Sequence, residues 1–407
     1  MKMKITFNVT VFLCVCFAMF GCKRYDTDYK SFLDHHEVTY PGLATGVTYH
    51  AGNLRAVLVW HPSPDPSIKN YVVSWNNGSD SVIVDATTHD PGDSIKVSIP
   101  NLKEYVYTFK IIAHDNAGNT SVGQELNNVR VYGAVYSGAL ANRAINLAAP
   151  YEFSADNSLK LNFNSPDTGN VSTTIKYTNT AGAAAEAKLD AKSSSITLTD
   201  YKIGTDIKYR SFYIPEAGAA DEFSPAADVD FVKILHIVLL DKSLFKEYDL
   251  PTDINSAYGW YLPYMWDGKT LDEPGFYANN QVPSWVTIDM GRPALLYSMK
   301  IWQRTGGGAL YDQGNPKRFE IWGSNNPSAD GNFSSWTMLG SFNSVKPSGL
   351  PRGQTNQTDV DFNTAGEQFM FPAATTRYRY MRIKVLETWG EANYWHLLEI
   401  SMYSLDQ

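Results

Sequence analysis

From about residue 40 onward, apolar residues recur at every second position in short runs, and Pro, Gly, Asn and Asp fill the gaps between them. That spacing predicts half-buried β-strands, and no long stretch carries the three-and-four spacing of a helix. The sharpest run is 283–304, PSWVTIDMGRPALLYSMKIWQR, where Trp285, Thr287 and Asp289 alternate with Val286, Ile288 and Met290. Two faces with different company are what a strand requires. Gly291-Arg292-Pro293 reads as a break, after which a second alternating run covers 296–302. Similar runs occupy 54–60 (LRAVLVW), 71–75 (YVVSW), 158–163 (SLKLNF), 172–177 (STTIKY) and 207–213 (IKYRSFY). Residues 181–191 (AGAAAEAKLDA) favour helix by composition. They sit between strand patterns, so a loop or a single turn is expected there.

The first 22 residues follow another rule. Lys2 and Lys4 precede an almost wholly apolar stretch, 5–20, too short to cross a bilayer comfortably, the pattern of a signal peptide. The segment ends Ala18-Met19-Phe20-Gly21-Cys22, which resembles a bacterial lipobox, with Met19 and Phe20 in place of the usual leucine and small residue. The resemblance implies cleavage before Cys22 and acylation of that cysteine. Acyl chains hold a protein on a membrane by apolar burial, durably when there is more than one. The polar residues after Cys22 then form a tether.

Composition narrows the function classes. A chain of 407 residues holds several domains, each able to bury its own core. A net charge of −8 argues against a nucleic-acid partner. Cys14, Cys16 and Cys22 are all the cysteines there are, which excludes a disulfide framework or a cysteine metal site in the body of the chain. His50, His61, His89 and His114 are scattered without metal-ligand spacing. Carboxylate pairs can be drawn anywhere among 42 acidic residues and so carry no information. There is no nucleophile elbow, HExxH or Walker motif. The expectation is a protein that is not an enzyme.

Two resemblances organise the rest. The Trp60, Pro62-Ser-Pro-Asp-Pro and Tyr71-Val-Val-Ser-Trp75 series, followed by Tyr107-Thr-Phe-Lys and Asn116-Ala-Gly, is similar to the fibronectin type III pattern. A weaker echo about a hundred residues later, as a tandem array gives, marks a second such unit. The run Pro283, Trp285 to Gly291, then Ile301, resembles the core of the discoidin family. This is also called the coagulation factor V/VIII type C domain and includes family-32 carbohydrate-binding modules. Asp267-Gly268, Phe319 to Asn326, Trp336, Arg377 to Lys384 and Leu398-Glu399-Ile400 resemble further parts of that family, in order. The expected fold is all-β: two immunoglobulin/fibronectin III-like sandwiches followed by a discoidin-like jelly-roll β-sandwich. The divisions are 1–21 signal peptide, 22–39 anchor and tether, 40–132, 133–233 and 234–407. The whole arrangement resembles surface lipoproteins of Bacteroidetes.

The discoidin resemblance implies two sites. In many relatives the Asp-Gly turn holds a structural calcium ion with backbone carbonyls, the Asp, a Thr and a Glu near the C-terminus. Asp267, Thr270 and Glu399 match those side chains, Thr270 with one residue fewer in the spacing. Hard oxygen donors from a loop and a distant strand suit Ca²⁺. The other site is for sugar, whose C–H faces pack on aromatic rings and whose hydroxyls need charged or amide partners. The loop 258–266 (YGWYLPYMW), the glycine-rich 304–311 and the loop 387–396 supply both kinds of group. The expected contacts are Trp260, Tyr264, Arg304, Tyr311 and Trp389, then Trp395 and His396. The reading is a non-catalytic glycan-binding protein, lipid-anchored to the outer membrane at the cell surface, serving a glycan transporter or surface enzymes. The alternative is an adhesin or scaffold that binds protein or another cell surface.

Overall fold

The computed structural model describes residues 39–271 and 273–406, so the signal segment and Cys22 lie outside the described residues. Among the described residues the chain is nearly all β, and its strands build three sandwiches with separate hydrophobic clusters.

The first sandwich has a three-stranded sheet, β1 (Thr45–Ala51), β2 (Ala56–His61) and β5 (Ile95–Ile99). It faces a four-stranded sheet ordered β4 (Asp80–Asp85), β3 (Ile68–Trp75), β6 (Val106–Asp115) and β7 (Gln124–Arg130). Trp60 from one sheet meets Tyr71 from the other edge-on at 5.4 Å, and Leu58, Val73, Phe109 and Ile111 complete the filling. Facing strands alternate, so each large ring lands between the sheets. The second sandwich repeats the three-plus-four plan. Its sheets are β8 (Tyr151–Phe153), β9 (Leu159–Asn162) and β12 (Ser195–Leu198), against β11 (Ala184–Asp190), β10 (Asn170–Thr178), β13 (Lys208–Tyr213) and β14 (Val229–Asp230). Here the expectation for 181–191 fails: Ala184–Asp190 is a strand, paired in continuous register with β10 from Ser172↔Asp190 to Thr178↔Ala184. Pairing with a formed neighbour outweighs the helical leaning of an alanine-rich run.

The two sandwiches are fastened to each other. A short helix α1 (Ala134–Ala139) follows the first, its opening N–H groups at Val135 and Tyr136 donating to Glu104 at 2.7 and 2.8 Å. Ala51, Tyr132 and Phe223 make a small apolar cluster at the seam. Around it Arg55 forks onto Asp221 at 2.8 and 2.6 Å, and Ala220 N–H donates to the Ala51 carbonyl.

The third sandwich is largest. One sheet runs β15 (His236–Leu239), β25 (Glu399–Asp406), β19 (Leu296–Trp302), β22 (Glu367–Met370). The other runs β16 (Lys246–Glu247), β18 (Ser284–Ala294), β23 (Tyr378–Thr388), β20 (Pro316–Ser324), β21 (Thr337–Asn343). A short pair, β17 (Phe276–Ala278) with β24 (Trp395–Leu397), and a helix α2 (Gln357–Ala365) complete it. Strand β18 does not break at Gly291. It bulges, with register shifting between Asp289 and Ala294, and Gly291 takes φ 78°, donating its N–H to Asp289. Leu244 packs where a side chain at 291 would stand. Asp289 is fixed besides by a forked ion pair with Arg379 at 2.9 and 2.8 Å.

Register places the ends of this unit. His236, where the chain enters from the second sandwich, pairs with Asp406, while Glu399 at the other end of β25 pairs with Trp302. Seven residues of strand separate those ends, about 23 Å at strand rise. The loops that leave Trp302 and approach Glu399 therefore lie at the end remote from the second sandwich.

Candidate functional site

At the remote end, β17 and β24 pair Tyr277 with His396 and Ala278 with Trp395. Alternation sends Phe276, Ala278, Trp395 and Leu397 into the core and leaves Tyr277, Tyr394 and His396 on the other face. Tyr277 is the hub there. It stacks on Tyr394 at 5.2 Å with rings 14° apart, and meets Tyr258 and Trp260 edge-on at 5.2 and 6.2 Å. Trp260 is held by its own backbone, its N–H donating to Ala257 and its carbonyl accepting from Tyr277. The Arg304 guanidinium lies over the Trp260 ring at 5.1 Å. It also donates to Glu273 at 2.6 Å and, at 3.4 Å, to Gln313.

Arg304 sits at the head of a loop locked from inside. Asn315, fully buried, accepts from Arg304 N–H at 2.9 Å and donates to the Arg304 and Ala309 carbonyls at 2.9 and 2.6 Å. One amide side chain thus closes the turn. Gly390 lets a second loop press on the first, because a Cβ there would collide with the Gln313 backbone. Tyr258, Tyr277, Tyr394, Trp260 and Arg304 keep part of their surface in solvent.

The structure divides the expected sugar contacts. Trp260 and Arg304 are brought together. Tyr264 is half-buried in the turn Leu262–Trp266 with Tyr261 as its ring partner at 5.9 Å. Trp389 lies on the other flank of residues 313–315, half-exposed, with Lys317 over its ring at 5.4 Å and its indole N–H donating to Ser344. Three expectations are corrected by burial. Tyr311 is 1% exposed, covered edge-on by Trp389 at 5.3 Å, and burial pushes its phenol far up. Trp395 has no exposed surface, packs on Phe276 at 4.8 Å and donates to Ser284 at 2.9 Å. It is core. His396 is likewise fully covered: its Nε2 accepts from Gly314 N–H at 3.2 Å, and Nδ1 is buried without a hydrogen-bond partner. Burial, with Arg304 nearby, drives its pKa down to about 3, so the ring is neutral and supports Tyr277 and Tyr394 from beneath.

Tyr277, Tyr394, Glu273 and Gln313 were not anticipated. The one sequence signal was the in-out-in order of Phe276, Tyr277 and Ala278, which marks Tyr277 as outward.

The expected calcium ligands sit beside this site. Glu399 is fully buried and ion-paired with Lys242, and its second oxygen accepts from Gly268 N–H at 3.0 Å. Asp267 accepts from Lys269 N–H at 2.9 Å and faces the Lys269 ammonium at 3.3 Å. Burial pushes the Glu399 carboxyl up to about 7, against the pull of Lys242. Among the described residues no three His, Cys, Asp or Glu side chains gather where a metal ion could be held. Each carboxylate already has an ammonium, so this donor set does not fit Ca²⁺, which takes six to eight oxygens.

Among the described residues no helix is long and apolar enough to cross a membrane. No curated protein matches the chain. Among solved structures, a SusE-like protein is 29% identical, the match covering 40% of this chain and 99% of that one at TM-score 0.39. CpGH89CBM32-5 from Clostridium perfringens, in complex with GalNAc-β-1,3-galactose, is 13% identical over 40% of this chain and 99% of its own, TM-score 0.29. The FN1-FN3 domains of chicken CNTN1 are 14% identical over 48% and 68%, TM-score 0.28. Residues 22–223 match the model of DUF4998, and residues 266–404 that of DUF5000, each described as a domain of unknown function.

Proposed function

We propose that this chain is a non-catalytic glycan-binding protein, held on the outer membrane by lipid on Cys22, that docks sugar on the remote end of its third sandwich. The observation that carries the reading is the Trp260–Arg304 pair, backed by Tyr277, Tyr394 and Tyr258 and flanked by Glu273. Half-exposed rings offer apolar faces to the C–H surface of a sugar. A guanidinium has five N–H donors, and the contacts to Glu273 and Gln313 leave others for hydroxyls. The locked loops and the buried support of His396 and Asn315 mean that little ordering remains to be done on binding, which conserves affinity. A single site of this size binds on the order of mM to µM, and many anchored copies raise the effective capture. The anchor lies at the other end of the chain from the rings, with two sandwiches between them. Captured glycan passes to a transporter or to surface enzymes.

A glycan array with the chain from Lys23 onward tests this, with Trp260→Ala alongside. Binding to a defined glycan set, lost in the variant, is the expected result. No glycan bound, with retention on cells or on immobilised protein, favours an adhesin. Turnover of a bound glycan would revive an enzyme.

A further inference from the structure

We propose that Lys242 supplies, from within the chain, the cation that pins the turn at 267–270 to the start of β25, so that the remote loops are set without a metal ion. Glu399 begins β25 with no exposed surface, and a carboxylate in that position needs a positive partner and hydrogen bonds for its lone pairs. It has both: the Lys242 ammonium on one oxygen, and the Gly268 N–H on the other. Lys242 is delivered for the purpose. It opens the 3-10 turn Lys242–Leu244 that follows β15, with Asp241 capping the turn by accepting from Ser243 N–H at 3.0 Å. Phe245, next in the chain, packs on Trp266 at 6.1 Å, so the lysine turn and the turn it pins are seated on one another. The Lys242 side chain is only one-fifth exposed. Asp267, the other acid of the turn, is engaged with Lys269. Two carboxylates and two ammonium groups thus balance where a divalent ion and its ligands would otherwise stand. The turn at 267–270 continues directly from Leu262–Trp266, the segment that carries Trp260 at its far side, which makes Lys242 a positioning residue for the aromatic loop.

Calorimetry of the full-length protein in detergent tests this without any glycan, so its outcome is separate from that of the functional reading. The midpoint of the C-terminal transition is expected to be the same in EDTA and in millimolar calcium, and a shift between the two would overturn the proposal. Lys242→Met is expected to lower that midpoint by on the order of 10 °C, since it strands a buried carboxylate. An unchanged midpoint would overturn it too. Lys242→Ser frees space beside Glu399, and millimolar calcium is expected to restore part of its lost midpoint. If calcium restores nothing, the lysine does not stand in a cation's place and the proposal fails.

Discussion

Two arginines of the third sandwich each lie over tryptophan, and they do opposite jobs. Arg382, on β23, has no exposed surface. Trp336 and Phe333 flank it at 4.4 and 4.7 Å, and its N–H groups reach Thr287, the Gly331 carbonyl and Asp253 at 3.0, 3.0 and 3.1 Å. Arg304 has one tryptophan, one carboxylate and a fifth of its side chain in solvent. The same residue types, a guanidinium over an indole ring, make a sealed strut in one place and an open platform in the other. What separates them is hydrogen-bonding capacity left unspent and surface left uncovered, and neither can be read from residue identity.

The comparison can be broken at several points. Arg382→Met should cost about 3–5 kcal/mol of stability, because Asp253, whose carboxyl burial already pushes up, loses its cation. Denaturant melts of the variant measure this, and a loss under about 1 kcal/mol would erase the distinction. His396→Gln sharpens it from below. The folded-state pKa of His396 is about 3 against an ordinary 6.5, so the neutral ring contributes stability that is full above pH 6.5 and is lost as pH falls toward 3. Between pH 6.5 and 5 that amounts to about 2 kcal/mol. Glu367 acts in the other direction: burial raises it to about 7, so its contribution is full below 4.5 and is lost as pH rises through 7. Melts of parent and His396→Gln at each pH cancel Glu367, and the difference between them should shrink on acidification. A difference constant with pH would mean that His396 takes up its proton as readily in the folded protein as in the unfolded chain.

On the open side, Trp260→Ala and Arg304→Ala should each weaken glycan binding about tenfold, roughly 1–2 kcal/mol, with melts nearly unchanged. Titration calorimetry on whichever glycan the array identifies reads the loss. A large drop in melting midpoint with binding intact would reclassify the pair as structural. The smallest effect is expected at Arg318→Ala. Its pair with Glu387, 2.6 Å long and nearly half exposed on both sides, should be worth under about 1 kcal/mol in the same melts.

Much of the fold was legible because alternation is a local signal. The runs at 54–60, 172–177 and 296–302 became strands, and Phe276 to Ala278 could have been read the same way. The Ala184–Asp190 strand was not legible, since only its partner β10 decides it. The aromatic site was half legible. Trp260 and Arg304 stand in loops, where an unexplained ring or charge is conspicuous. Trp395 and His396 also looked like loop residues, yet three residues of pairing with β17 fold them under the surface. Tyr311 failed for a related reason: its loop turns back through φ 52° and buries the ring. Burial of a loop depends on what packs over it, which lies elsewhere in the sequence.

The pairing of β15 with β25 has a mechanical meaning. Under the anchoring proposed above, a tether would pull on the chain at His236, and a bound ligand on the loops at the opposite end, which approach Glu399. Strand β15 is thereby drawn along its own length against β25, and the bonds between them lie across that direction. Four paired residues, His236 to Leu239, carry the load together instead of peeling one after another. A load along that axis would meet the strand geometry that resists being pulled apart.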